Sequence, residues 1–186
     1  MSDAATEIGL PEKMTCSEDD AHVEIIRRWF GLKFVILTAF AIFWDGFLVV
    51  WYAKALGGDS LMTVLFPLIH VAVGIGITYY VVAGWLNRTQ VYVDRQGLYV
   101  RHRPLPWWGR ADIDAAELKQ LYVKEVVSKN RKSGETTFEL RAITHAGRNI
   151  KIVGGLETRE QGLFLEQKIE KFLGIENARV PGEVGH

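Results

Sequence analysis

The sequence predicts an α+β membrane protein: a transmembrane hairpin of two helices, then a small antiparallel β-sheet domain closed by one C-terminal helix. Three observations carry this. Residues 34–53 and 61–86 are apolar runs parted only by the polar break 54–60, and each reaches the roughly 20 residues a helix needs to cross a bilayer core. After residue 86 the apolar positions change from helical to alternating spacing. One amphipathic stretch, 158–174, ends the patterned sequence.

The first 22 residues are rich in acids and small residues, without the basic start, apolar core and cleavage site of a signal peptide, and are expected to form a disordered leader. The hairpin is expected over 23–87, with helices at about 30–54 and 61–86. Arg27, Arg28 and Lys33 flank the first helix, Arg88, Arg95, Arg101 and Arg103 follow the second, and of basic residues the connecting loop holds only Lys54. Both termini are therefore expected on the cytoplasmic side of an inner or plasma membrane. Trp29 and Phe30, Trp51 and Tyr52, and Tyr79, Tyr80 and Trp85 read as interfacial aromatic belts.

Two residues exceed what an anchor needs. Asp45 lies 8 residues before residue 53 and His70 lies 9 after residue 61, so an antiparallel hairpin puts both roughly 12 Å below the outer edge. An unpaired carboxylate there costs about 2.5 kcal/mol or more, and His70 is the expected partner. The pair reads either as a hydrogen-bonded clasp or as an acid–base pair assisting proton or ion movement in an accessory subunit of a membrane enzyme or transporter. His70, Gly74 and Thr78, four residues apart, form the expected contact face of the second helix, meeting Thr38, Ala41 and Asp45 of the first. The Gly74/Thr78 face also suits a homo-oligomer or a larger membrane protein complex. If Pro67 opens the helix instead of kinking it, His70 moves outwards.

In the following part, strands are expected at 90–94 and 98–101 around the turn Arg95-Gln96-Gly97, where glycine supplies a positive φ. A short extended piece around Ile113 follows, then 118–128, although Ala115-Ala116-Glu117-Leu118 alternatively begins a helix. Strands at 137–144, after the turn 129–134, and at 149–153 complete one mostly antiparallel sheet of five or six strands. Thr158 and Gln161 make a capping box, Leu165, Ile169, Phe172 and Leu173 an inward face, and Gly174 the stop. Residues 88–174 thus read as one cytoplasmic domain and 175–186 as a tail.

Net charge is zero but uneven: residues 88–175 hold 16 Lys/Arg against 11 Asp/Glu, and residues 1–33 hold 4 against 7. Within the loop 101–110, Trp107 and Trp108 suit a membrane interface, with Arg101, Arg103 and Arg110 meeting anionic lipid headgroups. The alternative is that the tryptophans plug the end of the sheet core. The single cysteine, Cys16, excludes a disulfide framework and a multi-cysteine metal site. With no Gly-rich phosphate loop, His-x-Glu-x-x-His, Gly-x-Ser-x-Gly or Cys-x-x-Cys, no enzyme activity, cofactor or metal is expected. His102 and His145 read as surface histidines. Gly154-Gly155 at a helix start is a poor anion site beside Glu157 and Glu160. Lys129, Arg131 and Lys132 lack an aromatic platform, so no nucleic-acid partner is expected.

This order of elements, with Asn87-Arg88-Thr89 opening the first strand and the Gly97 turn after it, resembles the bacterial membrane proteins that carry a pleckstrin-homology-like (PH-like) domain. The resemblance covers residues 30–174. It implies a seven-stranded roll with one closing helix, an interaction domain held at the bilayer, and no catalytic residue. The phosphoinositide site of the fold's eukaryotic relatives lies on a different loop and does not carry over.

Overall fold

A computed structural model describes residues 8–55, 57, 61–127, 136–176, 180, 183 and 184. Most of the connecting loop around Gly58, the turn 129–134 with its basic residues, and parts of the leader and tail lie outside the described residues. In chain order the elements are β1 (Met14–Glu18), β2 (His22–Arg28), α1 (Leu32–Ala55), α2 (Leu61–Leu65), α3 (Leu68–Leu86), β3 (Arg88–Asp94), β4 (Gly97–Arg103), β5 (Ala111–Asp114), β6 (Leu118–Val127), β7 (Thr136–Thr144), β8 (Asn149–Leu156) and α4 (Arg159–Leu173). The chain is α+β and forms two units: Trp29–Asn87, and Met1–Arg28 joined with Arg88–His186.

The N-terminal region corrects the expectation of a leader. Residues within 1–22 form β1 and start β2, and β2 pairs antiparallel with β3 from His22↔Asp94 to Arg28↔Arg88. The expected hairpin boundary at 23 moves to Trp29. The cause is visible in the residues: Val23 and Ile25 alternate with Glu24 and Ile26, and both enter the core with at most 1 % exposure. The two apolar helices are therefore an insertion between neighbouring strands of one sheet.

Among the described residues eight strands form two antiparallel sheets, not one, in the orders β1-β2-β3-β4-β5 and β6-β7-β8. The sheets part at a 3-10 turn, Ala115–Glu117, whose start is capped by the Asp114 carboxylate accepting from Ala116 N–H; the expected helix there is this single turn. Gly97 does not take a positive φ. Asp94 closes its turn by accepting from Gln96 and Gly97 N–H, both at 2.8 Å, and a Cβ on Gly97 would lie 2.7 Å from the Ile113 carbonyl oxygen. Close strand approach, not handedness, requires glycine there.

Helix α4 closes the core formed by residues such as Leu98, Leu121, Leu140 and Ile152. Thr158 caps it by accepting from Gln161 N–H, Gln161 Oε1 accepts from Glu157 N–H, and Gly174 ends it at φ 67°. Its buried face is wider than Leu165, Ile169, Phe172 and Leu173 because Leu163 and Phe164 also enter the core. The segment before β1 covers it: Gln161 Nε2 donates to the Glu12 carbonyl, Ile8 N–H donates to Gln167, and Lys13 pairs with Glu157 at 2.6 Å. The expected tail is also partly attached, with Val184 N–H donating to the Val123 carbonyl at 2.9 Å.

Glu170 of α4 is buried and accepts from Leu121 N–H. Burial is the main cause that lifts its carboxyl to about 7, opposed by the Leu121 bond and assisted by the Glu183 charge. The folded state thus holds a proton that the unfolded chain releases near 4.5. Its stabilisation is fully present below that value and is lost as pH rises through about 7. Glu170→Gln is expected to flatten this slope and to raise stability at pH 8 by on the order of 2–3 kcal/mol, read from thermal melts across pH.

Candidate functional site

Two features gather the functional candidates: the seam between α1 and α3, and one end of the five-stranded sheet. Along α1, Phe34, Ala41, Leu48 and Ala55 are buried at intervals of seven. Between them, Thr38, Asp45 and Tyr52, also seven apart, each make a polar contact to the returning segment, the first two to α3 and Tyr52 to α2. Thr38 Oγ1 accepts from Trp85 Nε1 at 2.9 Å, Asp45 Oδ2 accepts from Thr78 Oγ1 at 2.7 Å, and Tyr52 OH donates to the Val64 carbonyl at 3.1 Å. The spacing is that of a left-handed coiled coil. Asp45 sits against Gly74, where an added Cβ would be 2.7 Å from Oδ1.

The expected Asp45–His70 pair is not formed. Thr78 takes the carboxylate, while the His70 ring stacks on Trp44 with centroids 5.8 Å apart, and Trp44 Nε1 donates to the His70 carbonyl. Pro67 is the reason. It separates α2 from α3 and leaves His70 in the first turn of α3, beside Phe66. The polar contact of Asp45 at the seam thus has a different partner from the one expected, Thr78 in place of His70.

The Pro67 break also explains Trp51 and Tyr52, which the aromatic-belt reading treats only as anchors. Proline has no N–H for the carbonyl four residues back, Thr63, and the break also strips Val64 of its helical donor. Trp51 Nε1 donates to Thr63 O at 3.2 Å and Tyr52 OH to Val64 O. Removing both donors with Trp51→Phe and Tyr52→Phe is expected to destabilise the helix pair by about 2 kcal/mol. Adding Pro67→Ala, which restores the helical donor to Thr63, should recover roughly half, measured as a double-mutant cycle in micelle unfolding.

At the sheet end, strand register aligns Arg28 with Arg88 and Arg88 with Arg103. Residues directly opposite share a face, so three arginines stand in one row, all exposed. The loop that follows β4 holds Trp108, 83 % exposed, packed edge-on against half-buried Trp107 at 5.3 Å, and exposed Arg110. Arg101 does not belong to this set. It is bound to Asp112 at 2.6 Å and donates to the Val100 and Ala111 carbonyls. Arg28 and Arg88 were legible as charges flanking the helices; their alignment with Arg103 required the unrecognised strand β2.

On the opposite face of the same rows lie Arg27, Thr89 and His102. His102 is not a surface histidine: Nδ1 lies 3.0 Å from Thr89 Oγ1, and the Gly109 backbone, at φ 97°, closes on the ring. Burial depresses its pKa, with the Arg27 charge acting in the same direction against a bond to the Gly109 backbone. His102 thereby ties the tryptophan loop to the sheet. Arg27 itself donates to the Gly155 carbonyl at 2.8 Å. Among the described residues no group of three His, Cys, Asp or Glu side chains is arranged to hold a metal ion.

Compared with models of known protein families and with curated proteins, the chain matches none.

Proposed function

We propose that this protein is a two-span integral membrane protein that displays a PH-like interaction domain on the cytoplasmic face, where an arginine edge engages anionic lipid headgroups, without catalysing a reaction. The observation that carries the reading is the row Arg28, Arg88, Arg103, with exposed Trp108 in the loop that follows Arg103, at the end of the sheet where the chain departs for the apolar helices. Helix α1 begins four residues after Arg28, and α3 ends two residues before Arg88. Any bilayer those helices enter is therefore covalently next to the row. Each basic residue near an anionic surface contributes about 1 kcal/mol, and an exposed tryptophan suits the headgroup layer.

Three further points support it. The two helices are long and apolar enough to cross a membrane, and only 17 % of the apolar window of each is buried, whereas the core helix of a water-soluble fold is mostly covered. Strands on either side of the helix pair share one sheet, which agrees with two crossings that return the chain to the side it left. Two antiparallel sheets followed by one closing helix agree with the PH-like plan.

The test is a photoreactive residue at position 108 in native membranes, after an alkaline wash that strips peripheral proteins. The chain should remain in the washed membrane and crosslink to anionic lipid. Replacing Arg28, Arg88 and Arg103 by glutamine should lower that lipid yield by about tenfold or more. Release by the wash would overturn membrane insertion; crosslinks confined to one protein would replace the lipid by that protein as the partner.

A further inference from the structure

The far end of the same domain carries a second feature. A cavity of about 480 Å³ opens where the β3–β4 turn, the start of β6, the β7–β8 turn and the end of α4 meet. Its size falls in the range of small-molecule sites. Arg95, Lys119 and His145 line it from three separate elements, and among the described residues none of their side chains has a hydrogen bond or ion pair. Leu118, Phe172 and Ile175 supply apolar wall. One carboxylate, Glu176, also lines it, and against Arg95 and Lys119 it leaves the lining net positive.

The backbone explains why Lys119 is there. β6 pairs with β7 at Leu118↔Thr144 and again at Gln120↔Ile143, which leaves Lys119 as the extra residue of a bulge. A bulge bends its strand and re-aims the side chain it carries. Glu117, the acid closest to Lys119 in sequence, is bound to Arg148 at 2.7 Å. Cations brought together without partners among the described residues, over an apolar floor, are matched by an anion with an apolar body.

We infer that this cavity binds a soluble small organic anion, a carboxylate or phosphate monoester with an aromatic or short aliphatic part, held by Arg95 and Lys119 against the Phe172 wall. Arg95 lies one residue past the end of β3, about 20 Å along the strand from Arg88. That separation sets the cavity apart from the arginine edge, and the inference does not depend on the lipid-binding reading.

The test uses the full chain in phosphatidylcholine nanodiscs, or in buffer if it does not incorporate, titrated calorimetrically with phenyl phosphate, benzoate, inorganic phosphate and phenol. Phenyl phosphate or benzoate should saturate a single site at least tenfold more tightly than either inorganic phosphate or phenol. Arg95→Gln with Lys119→Gln should weaken that binding by about tenfold or more with the melting temperature unchanged, whereas Arg28→Gln, Arg88→Gln and Arg103→Gln together should leave it intact. No saturation by about 10 mM, well above a specific-site affinity, or equal weakening by the two variant sets, would overturn the site. Loss of phenyl phosphate binding on adding phosphatidic acid to the nanodisc would overturn the assignment to a soluble ligand.

Discussion

Replacing residues 29–87 by Asn-Gly is expected to yield a folded, water-soluble domain, whereas residues 88–186 alone are expected to stay unfolded. Arg28 and Arg88 are paired directly across β2 and β3, so a two-residue type I′ turn spans the gap that 59 residues now fill. Without the N-terminal strands, β3 loses its partner and Met14, Val23 and Ile25 leave a core in which each is at most 5 % exposed. At about 1.5–3 kcal/mol for each buried side chain, the loss is roughly 5–9 kcal/mol before any ladder hydrogen bond is counted. A domain of this size has only about 5–15 kcal/mol in total. Circular dichroism melts and amide dispersion in NMR spectra distinguish the two chains. Cooperative melting of residues 88–186 alone would show that β1 and β2 are accessory.

The second large effect is expected at Gly84. A Cβ there would overlap three atoms of the Phe34 ring, and Phe34 is 2 % exposed and packed on Tyr80. The ring has no open side to move into, so Gly84→Leu must push α1 and α3 apart. Overpacking typically costs about 1–3 kcal/mol, and the upper end is expected because a whole branched side chain is added. Gly76, on the same helix, has nothing within 4 Å of an added Cβ. Gly76→Leu provides the control and should be neutral or mildly stabilising through helix propensity. Unfolding of the reconstituted chain by a denaturing detergent reads both; equal losses would mean that the helices do not pack through Gly84.

Most elements were legible because their signals are local. The apolar runs, the alternation in β3, β4, β6, β7 and β8, and the Thr158/Gln161 and Gly174 signals of α4 need only neighbouring residues. β1 and β2 failed that test. Each is short, β1 reads Met-Thr-Cys-Ser-Glu with little apolar pattern, and the strand that stabilises β2 lies beyond both helices. The alternation of Val23 and Ile25 was present but sat beside Arg27 and Arg28, which read as helix flanks.

The candidate site divides in the same way. Depth along a hairpin placed Asp45 near His70, but depth does not fix which way a side chain faces, and the Pro67 break set His70 against Trp44. The seven-residue spacing of Thr38, Asp45 and Tyr52 was the stronger signal. It marks the seam without requiring any depth estimate. Arg101 and Arg103 are indistinguishable by composition; only the pairing of β4 with β5 shows that Asp112 holds the first and leaves the second on the arginine edge.

The split of one sheet around the helix pair also imposes a timetable on biosynthesis. β2 is complete at Arg28, but β3 does not begin until residue 88, and at about 5–20 residues per second the ribosome needs roughly 3–12 s to reach it. During that interval β1 and β2 are an isolated two-stranded ribbon, which is marginal in water, with Val23 and Ile25 uncovered. Completion of the domain consequently reports that the helix pair has been made and its ends brought together, and a chain whose helices fail to close presents an unfinished sheet edge to cellular proteases.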